Sequence, residues 1–303
     1  MHDVRTLEPA TAGRRPTALS TNAKPLKAAT ARLWSLLQIN RRAIRDALVV
    51  VGLGRAFVYY VVQGVHPWAP LGFDARAYWG VDLAHPYASS AVGLPSTYIY
   101  PPIFAQVLAP LSVLPFPVFL ALWTAALIGI LAWLVRPWPW ALAILALPIS
   151  FELFAGNIHM FMAAVVVLGF TAPGLWAFPL LTKVTPGVGL VWFAVRREWR
   201  PLAAVLTITA AAVSLSVAIA PTAWLEWLSF VIAERDKGEF LPLRLVLAVG
   251  IVAVAGLTNR RWLVPVGVWL ALPVLWVETP VVLLAMIRLW AASAPLEERA
   301  SRP

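Results

Sequence analysis

The richest chemistry in this chain sits in one heptapeptide, Phe73-Asp74-Ala75-Arg76-Ala77-Tyr78-Trp79. A carboxylate beside apolar residues holds its proton more tightly than one in water, and can serve as a general base. The alternative for Asp74 is a solvated acid paired with Arg76, and Asp82 is a weaker duplicate. A second group is Lys183, set in Thr182-Lys183-Val184-Thr185-Pro186 with Gly187 and Gly189 close by. A lysine among Thr, Pro and Gly inside apolar sequence suits a broken helix lining a polar cavity, where irregular backbone is tolerated. The bland alternative, shared by Arg55 and Glu152, is a side chain reaching for a headgroup or a neighbour. Gly156-Asn157-Ile158-His159 supplies an amide and an imidazole at a polar break, either to hold a polar headgroup or as a simple turn. Tyr98 and Tyr100, before Pro101-Pro102, fit a sugar-stacking surface and an interfacial aromatic belt equally well.

The elements that must position these groups are membrane helices. Of 303 residues, 61% are hydrophobic and only 13% charged. Mean hydropathy is +0.79. A soluble domain carries about 45–50% apolar and about 25% charged residues, so the sequence reads as an all-α polytopic membrane protein. No cysteine is present, which excludes disulfides, thiol nucleophiles, zinc–cysteine sites and iron–sulfur clusters. His2, His66, His85 and His159 are too scattered to suggest a metal, and no cofactor is expected. No Walker motif or dinucleotide Gly-rich loop occurs. The net charge of +10 lies largely in Arg5, Arg14, Arg15, Lys24, Lys27, Arg32, Arg41, Arg42 and Arg45, and in short clusters between apolar runs. That distribution writes membrane topology and does not indicate nucleic acid as a partner.

Residues 1–45 read as a disordered basic cytoplasmic tail; an amphipathic helix over 31–45 is an option. No apolar core appears before about Leu48, so no cleaved leader is expected. The membrane domain is expected over 46–293, with a short cytoplasmic tail at 294–303. A first span falls at 46–65. A polar-aromatic loop and an interfacial helix follow over 66–115, the helix at 102–114. Further spans are read at 116–135, 140–154, 160–170, 202–220, 243–257, 263–277 and 280–292. Short apolar pieces at 175–181 and 187–195 flank Lys183, and 221–240 reads as a polar loop. Counting the short pieces as crossings gives about ten spans. It places Arg136, Arg196, Arg197, Arg200, Arg260 and Arg261 inside, and Asp74, Asp82, Glu226, Glu234, Asp236, Glu239 and Glu278 outside.

The order of these pieces resembles a known family. An acidic loop follows span one. Then come Tyr98-x-Tyr100-Pro101-Pro102-x-Phe104-Ala105, Leu108-Ala109-Pro110-Leu111, Leu114-Pro115, Trp123, Gly156-Asn157, Lys183-x-x-Pro186 and Arg196-Arg197-x-Trp199-Arg200. Over about residues 46–220 this is similar to the family 87 glycosyltransferases, a polytopic GT-C-type family. It includes polyprenol-phosphate-mannose-dependent α-mannosyltransferases and some arabinofuranosyltransferases. Many relatives carry Gly-Gln where this chain has Gly156-Asn157, and the C-terminal third carries none of the matching motifs.

The resemblance implies a GT-C-like bundle with a large first extracytoplasmic loop, in the bacterial plasma membrane. The implied activity is transfer of a sugar, mannose in the first instance, from a polyprenyl-phosphate donor to a glycolipid or glycan acceptor on the extracytoplasmic side. Asp74 matches the family's catalytic base in the first outer loop. Direct displacement with inversion would then need a cation for the leaving phosphate, Lys183 first and Arg76 second. Tyr98, Tyr100, Asn157 and His159 would contact substrate. A transporter or flippase of a lipid-linked substrate is the rival reading, and a non-catalytic membrane subunit is a third.

Overall fold

The computed structural model describes residues 70–293. The expected first span, the basic tail, Arg55 and the C-terminal tail lie outside the described residues. Within them every regular element is helical.

The chain enters through a seven-residue helix, α1 (Phe73–Trp79), preceded by Gly72 in the left-handed region. Residues 81–100 then run without regular structure to Pro101. Helix α2 (Pro102–Leu108) starts at a proline, whose missing N–H costs nothing there, and continues as a 3-10 turn over Ala109–Val113. Pro115 and Pro117 end that piece and open α3 (Phe116–Val135), 20 residues long. These two elements fall where proline placement puts them.

Next come α4 (Ala141–Ile144), α5 (Ala146–Ala155) and α6 (His159–Leu168). The last two are bent by 111° across the break at Gly156-Asn157-Ile158. They are two halves of a broken segment that meet at the polar break expected at Gly156-Asn157-Ile158-His159. A 3-10 turn at Pro173–Trp176 leads into α7 (Ala177–Thr182). A second 3-10 stretch, Thr185–Leu190, runs into α8 (Val191–Val195). Then follow α9 (Trp199–Ile219), α10 (Pro221–Ala233), α11 (Leu241–Leu257) and α12 (Val264–Leu270). A final 3-10 turn, Thr279–Leu283, precedes α13 (Leu284–Ser293).

Residues 221–240, expected as a polar loop, instead hold α10 over their first thirteen positions. Glu226 is the one charge, and Ser229 the one other polar residue, among Trp224, Leu225, Trp227, Leu228 and Phe230, and one charge in that spacing leaves a helix intact.

Two described helices, α3 and α9, are long and apolar enough to cross a bilayer, three if the bent pair counts as one span. A span needs about 20 apolar residues, and the other helices are shorter because proline, glycine and 3-10 turns interrupt them. Only 11% of the membrane-length window of α9 is buried, against 39% for α3. Leu206, Ile208, Leu215 and Ile219 of α9 are all exposed. An apolar helix this bare is sustained by lipid, not by water. The core lies between α3, α6, α8, α11, α12 and α13, around Leu131, Met162, Trp192, Val252, Val268 and Leu284.

Candidate functional site

Asn157 is the hub. It follows Gly156, which ends α5 in the left-handed region at φ 71° and ψ 39°. Glycine is required there for a second reason: a Cβ would stand 2.7 Å from the Ala75 Cβ of α1. The bare backbone lets α1 press against the break. Two further bonds hold it: Gly72 N–H donates to the Phe154 carbonyl at 2.8 Å, and Trp123 Nε1 donates to the Gly156 carbonyl at 2.8 Å. Asp74, in the first turn of α1, is thereby delivered to the Asn157 side chain.

The carboxamide is fully engaged. Its Nδ2 donates to Asp74 Oδ2 at 2.6 Å and reaches Glu278 Oε1 at 3.5 Å. Its Oδ1 accepts from Ile158 N at 2.7 Å and lies 3.3 Å from both the Tyr78 and Tyr100 hydroxyls. Those two hydroxyls are 3.0 Å apart. Donors surround Oδ1 and carboxylates surround Nδ2, so the amide orientation is chemically forced. Burial holds the Tyr78 and Tyr100 phenols well above their ordinary value, so both remain protonated and able to donate. Burial first, and the Glu278 carboxylate second, push Asp74 well above the usual carboxylate range; Lys183 and the Asn157 hydrogen bond pull it part of the way back. Burial likewise raises Glu278. A half-buried carboxylate with raised proton affinity is suited to accept a proton at neutral pH.

Asp74, Asn157, Tyr100, Lys183, Trp276 and Glu278 line a cavity of about 460 Å³. A second cavity of about 340 Å³ shares Ile99, Tyr100, Lys183 and Trp276 with it. The second one is mostly apolar, with Trp227, Phe230, Val231, Leu241 and Val274, and it carries Glu234, Arg235 and Lys237. Lys183 thus stands where the two meet, its Nζ 5.2 Å from the centre of the Tyr100 ring. Its backbone is unusual. Thr185 N–H closes a three-residue turn onto the Lys183 carbonyl at 2.7 Å, and Val184 between them has φ 59° and ψ −65°. A β-branched residue in this γ-turn is strained, and such strain gathers where geometry serves function.

Of the seven residues expected at the site, Asp74, Asn157, Lys183 and Tyr100 come together. Arg76, Tyr98 and His159 line neither of these two cavities, each for a visible reason. Arg76 is exposed, and its guanidinium lies 4.0 Å over the Phe116 ring. The Tyr98 hydroxyl donates to the Pro101 carbonyl at 2.7 Å and accepts from Ala105 N at 2.8 Å, so it fastens the loop to the start of α2. His159 is wholly buried, with Nδ1 2.9 Å from Glu152 Oε2. Glu152 Oε1 also accepts from Met160 N at 3.0 Å and so fastens the first turn of α6 to α5. Sequence reasoning missed Glu278, Tyr78 and Trp276. Glu278 carried one signal, an acid between two apolar runs on the same expected side as Asp74. Among the described residues, no group of three or more His, Asp or Glu side chains stands together as metal ligands would.

Over 232 residues the chain is 27% identical to the polyprenol-phosphate-mannose-dependent alpha-(1-2)-phosphatidylinositol pentamannoside mannosyltransferase of Mycolicibacterium smegmatis. The match covers 67% of this chain and 54% of that protein, so the chain spans about half the length of this curated relative. No solved structure matches. The model of glycosyltransferase family 87 matches residues 98–302. That interval takes in Tyr100, Asn157, Lys183 and Glu278 and begins after Asp74. It also runs through the C-terminal third, where the motif resemblance had stopped near residue 220. The matched interval exceeds half of the 303 residues, and the chain belongs to glycosyltransferase family 87.

Proposed function

We propose that this chain is an integral membrane glycosyltransferase. It moves a sugar, mannose in the first instance, from a polyprenyl-phosphate donor to an extracytoplasmic glycolipid or glycan acceptor, with inversion. The observation that carries the reading is the pairing of two adjoining cavities across Lys183, one bearing Asp74 and the other apolar.

The apolar cavity takes the phosphate and first isoprene units of the donor; the acidic cavity takes the acceptor. Asp74 accepts the proton of an acceptor hydroxyl as its oxygen attacks the anomeric carbon. The bond from that carbon to the phosphate oxygen breaks, and the phosphate leaves with the electron pair. Lys183 offsets the developing charge, which is commonly a large part of catalysis. Attack opposite the leaving group inverts the anomeric centre. The relative's name, with its polyprenol-phosphate-mannose donor, supports the choice of sugar and carrier. A multi-pass arrangement of about ten crossings, with Asp74 and Glu278 on the outer face, accords with the placement of basic clusters.

Labelled sugar transfer from polyprenyl-phosphate mannose tests this, with protein in lipid and a mixed glycolipid acceptor extract. Wild type yields labelled product and Asp74→Asn yields none, while donor binding persists. Undiminished product from Asp74→Asn would remove the base. A second reading, movement of a lipid-linked substrate across the membrane, draws on the 111° break between α5 and α6. It requires substrate movement across vesicles without covalent change.

A further inference from the structure

Glu278 is the acid the mechanism above leaves idle. It is 8% exposed, and it sits between Trp276 and the 3-10 turn Thr279–Leu283. Buried carboxylates normally collect short, strong hydrogen bonds. Among the described residues the Glu278 side chain has one bond to another residue, the 3.5 Å contact from Asn157 Nδ2. That is at the far limit of a useful bond. Asp74 Oδ2 takes the same amide nitrogen at 2.6 Å, and no described residue donates to its Oδ1. The amide holds two carboxylates side by side, each with capacity to spare among the described residues, and both line the 460 Å³ cavity.

Two neighbouring acceptor groups call for a ligand with two neighbouring donors. The rest of the lining narrows the choice. The Trp276 indole and the Tyr100 ring offer flat apolar faces, and Thr97 is a further polar group. Lys183 stands at the junction with the other cavity, and Arg235 and Lys237 lie wholly on that other one. An anionic group placed at the two acids would be repelled, whereas a sugar offers paired hydroxyls on a ring with an apolar face.

We infer that Glu278 and Asp74 grip a neutral sugar by two adjacent hydroxyls, Glu278 accepting a hydrogen bond from one while Asp74 takes the proton of the other. This rests on the reading of the site as a transferase and names the chemistry of its acceptor end: an uncharged vicinal diol, with any phosphate of the acceptor held away from the carboxylates.

The test uses the full chain in lipid nanodiscs. The probes are methyl α-D-mannopyranoside and its monodeoxy analogues, with binding followed by saturation-transfer NMR. Loss of a hydrogen bond to a charged group costs about tenfold to a hundredfold in binding. Glu278→Gln weakens the parent glycoside by that factor. One deoxy analogue weakens wild type by the same factor and weakens Glu278→Gln no further. In transfer assays the acceptor KM rises with that ratio while kcat changes far less. If Glu278→Gln does not fold, Glu278→Asp keeps the charge, and the analogue series on wild type stands by itself. The inference is overturned if wild type binds no glycoside, if it binds every deoxy analogue as well as the parent, or if Glu278→Gln or Glu278→Asp discriminates among the analogues as wild type does. Glu278-dependent binding without label transfer would sink the transferase reading alone. Transfer with unaltered discrimination in the variants would sink this one alone.

Discussion

Gly156→Ala adds one methyl group at the point where α1 meets the α5–α6 break, and its effects on folding and on rate separate cleanly. An alanine at φ 71° and ψ 39° costs about 1–2 kcal/mol in the left-handed region. The new Cβ would also stand 2.7 Å from Ala75 Cβ, whereas carbon pairs rest at about 3.5–4.0 Å. Something must therefore yield by about 1 Å. The break is anchored through Trp123 and the α5 backbone, so α1 is the part that moves, and Asp74 moves with it. A displacement of about 1 Å at a reacting group costs on the order of a hundredfold in rate, or about 2.7 kcal/mol of barrier. The assay is label transfer from polyprenyl-phosphate mannose, alongside thermal unfolding in detergent. Gly156→Ala is expected to be about a hundredfold slow and about 1–2 kcal/mol less stable. Pairing it with Ala75→Gly removes the colliding methyl but not the backbone strain. The double variant should recover most of the rate and none of the stability, with Ala75→Gly alone as control. Wild-type turnover in Gly156→Ala, or a double variant as slow as the single, would refute the argument that this contact sets the position of Asp74.

The pH dependence of transfer has a defined sign. As the proposed base Asp74 must be ionised, and burial, then the Glu278 carboxylate, raise it against the opposing pull of Lys183 and Asn157. The rate should therefore fall on the acid side with its midpoint above the ordinary aspartate value of about 3.9; a midpoint at that value would count against the raised carboxyl. For folding the sign is reversed, because the fold favours the neutral acid and loses that contribution as pH rises through the raised value. Arg244 of α11 donates to four backbone carbonyls, those of Glu239 at 2.9 Å, Leu270 at 3.0 Å, Leu272 at 2.8 Å and Pro273 at 3.0 Å. Arg244→Met should destabilise the protein by about 3–5 kcal/mol and loosen the segment leading to Glu278; an unchanged melting temperature would contradict that role.

Local chemistry made part of this structure readable in advance. Proline at 115 and 117 and the Arg136-Pro137 pair bound α3, and the prolines at 101 and 102 begin α2, because a missing N–H and a fixed φ act within one turn. Asp74, Asn157, Tyr100 and Lys183 stood out because polar groups in apolar surroundings need a reason to be there. Two kinds of feature escaped. One is helix α10, whose lone Glu226 and neighbouring Glu234 gave 221–240 the look of a loop. Its polar groups have partners in the 81–97 segment, His85 with Glu226 at 3.4 Å and Val92 N with Glu234 Oε2 at 3.1 Å, which no local pattern reports. The other is any pairing across sequence. Glu278 meets Asn157 from 121 residues away. The Tyr98 hydroxyl could not be assigned to a ligand or to the backbone until Ala105 N and the Pro101 carbonyl were seen to use it.

That long-range hub bears on how the protein is made. Asp74 and Asn157 can meet as soon as α6 is in place, but Glu278 leaves the ribosome 121 residues after Asn157. At about 5–20 residues per second the delay is about 6–24 s. Through that interval a growing chain in the membrane holds a half-built site, with one carboxylate on the Asn157 amide and the cavity wall of Trp276, Val277 and Glu278 still missing. The last insertion step closes the wall of the 460 Å³ cavity, so a chain interrupted before Glu278 keeps Asp74 yet lacks the enclosure around it.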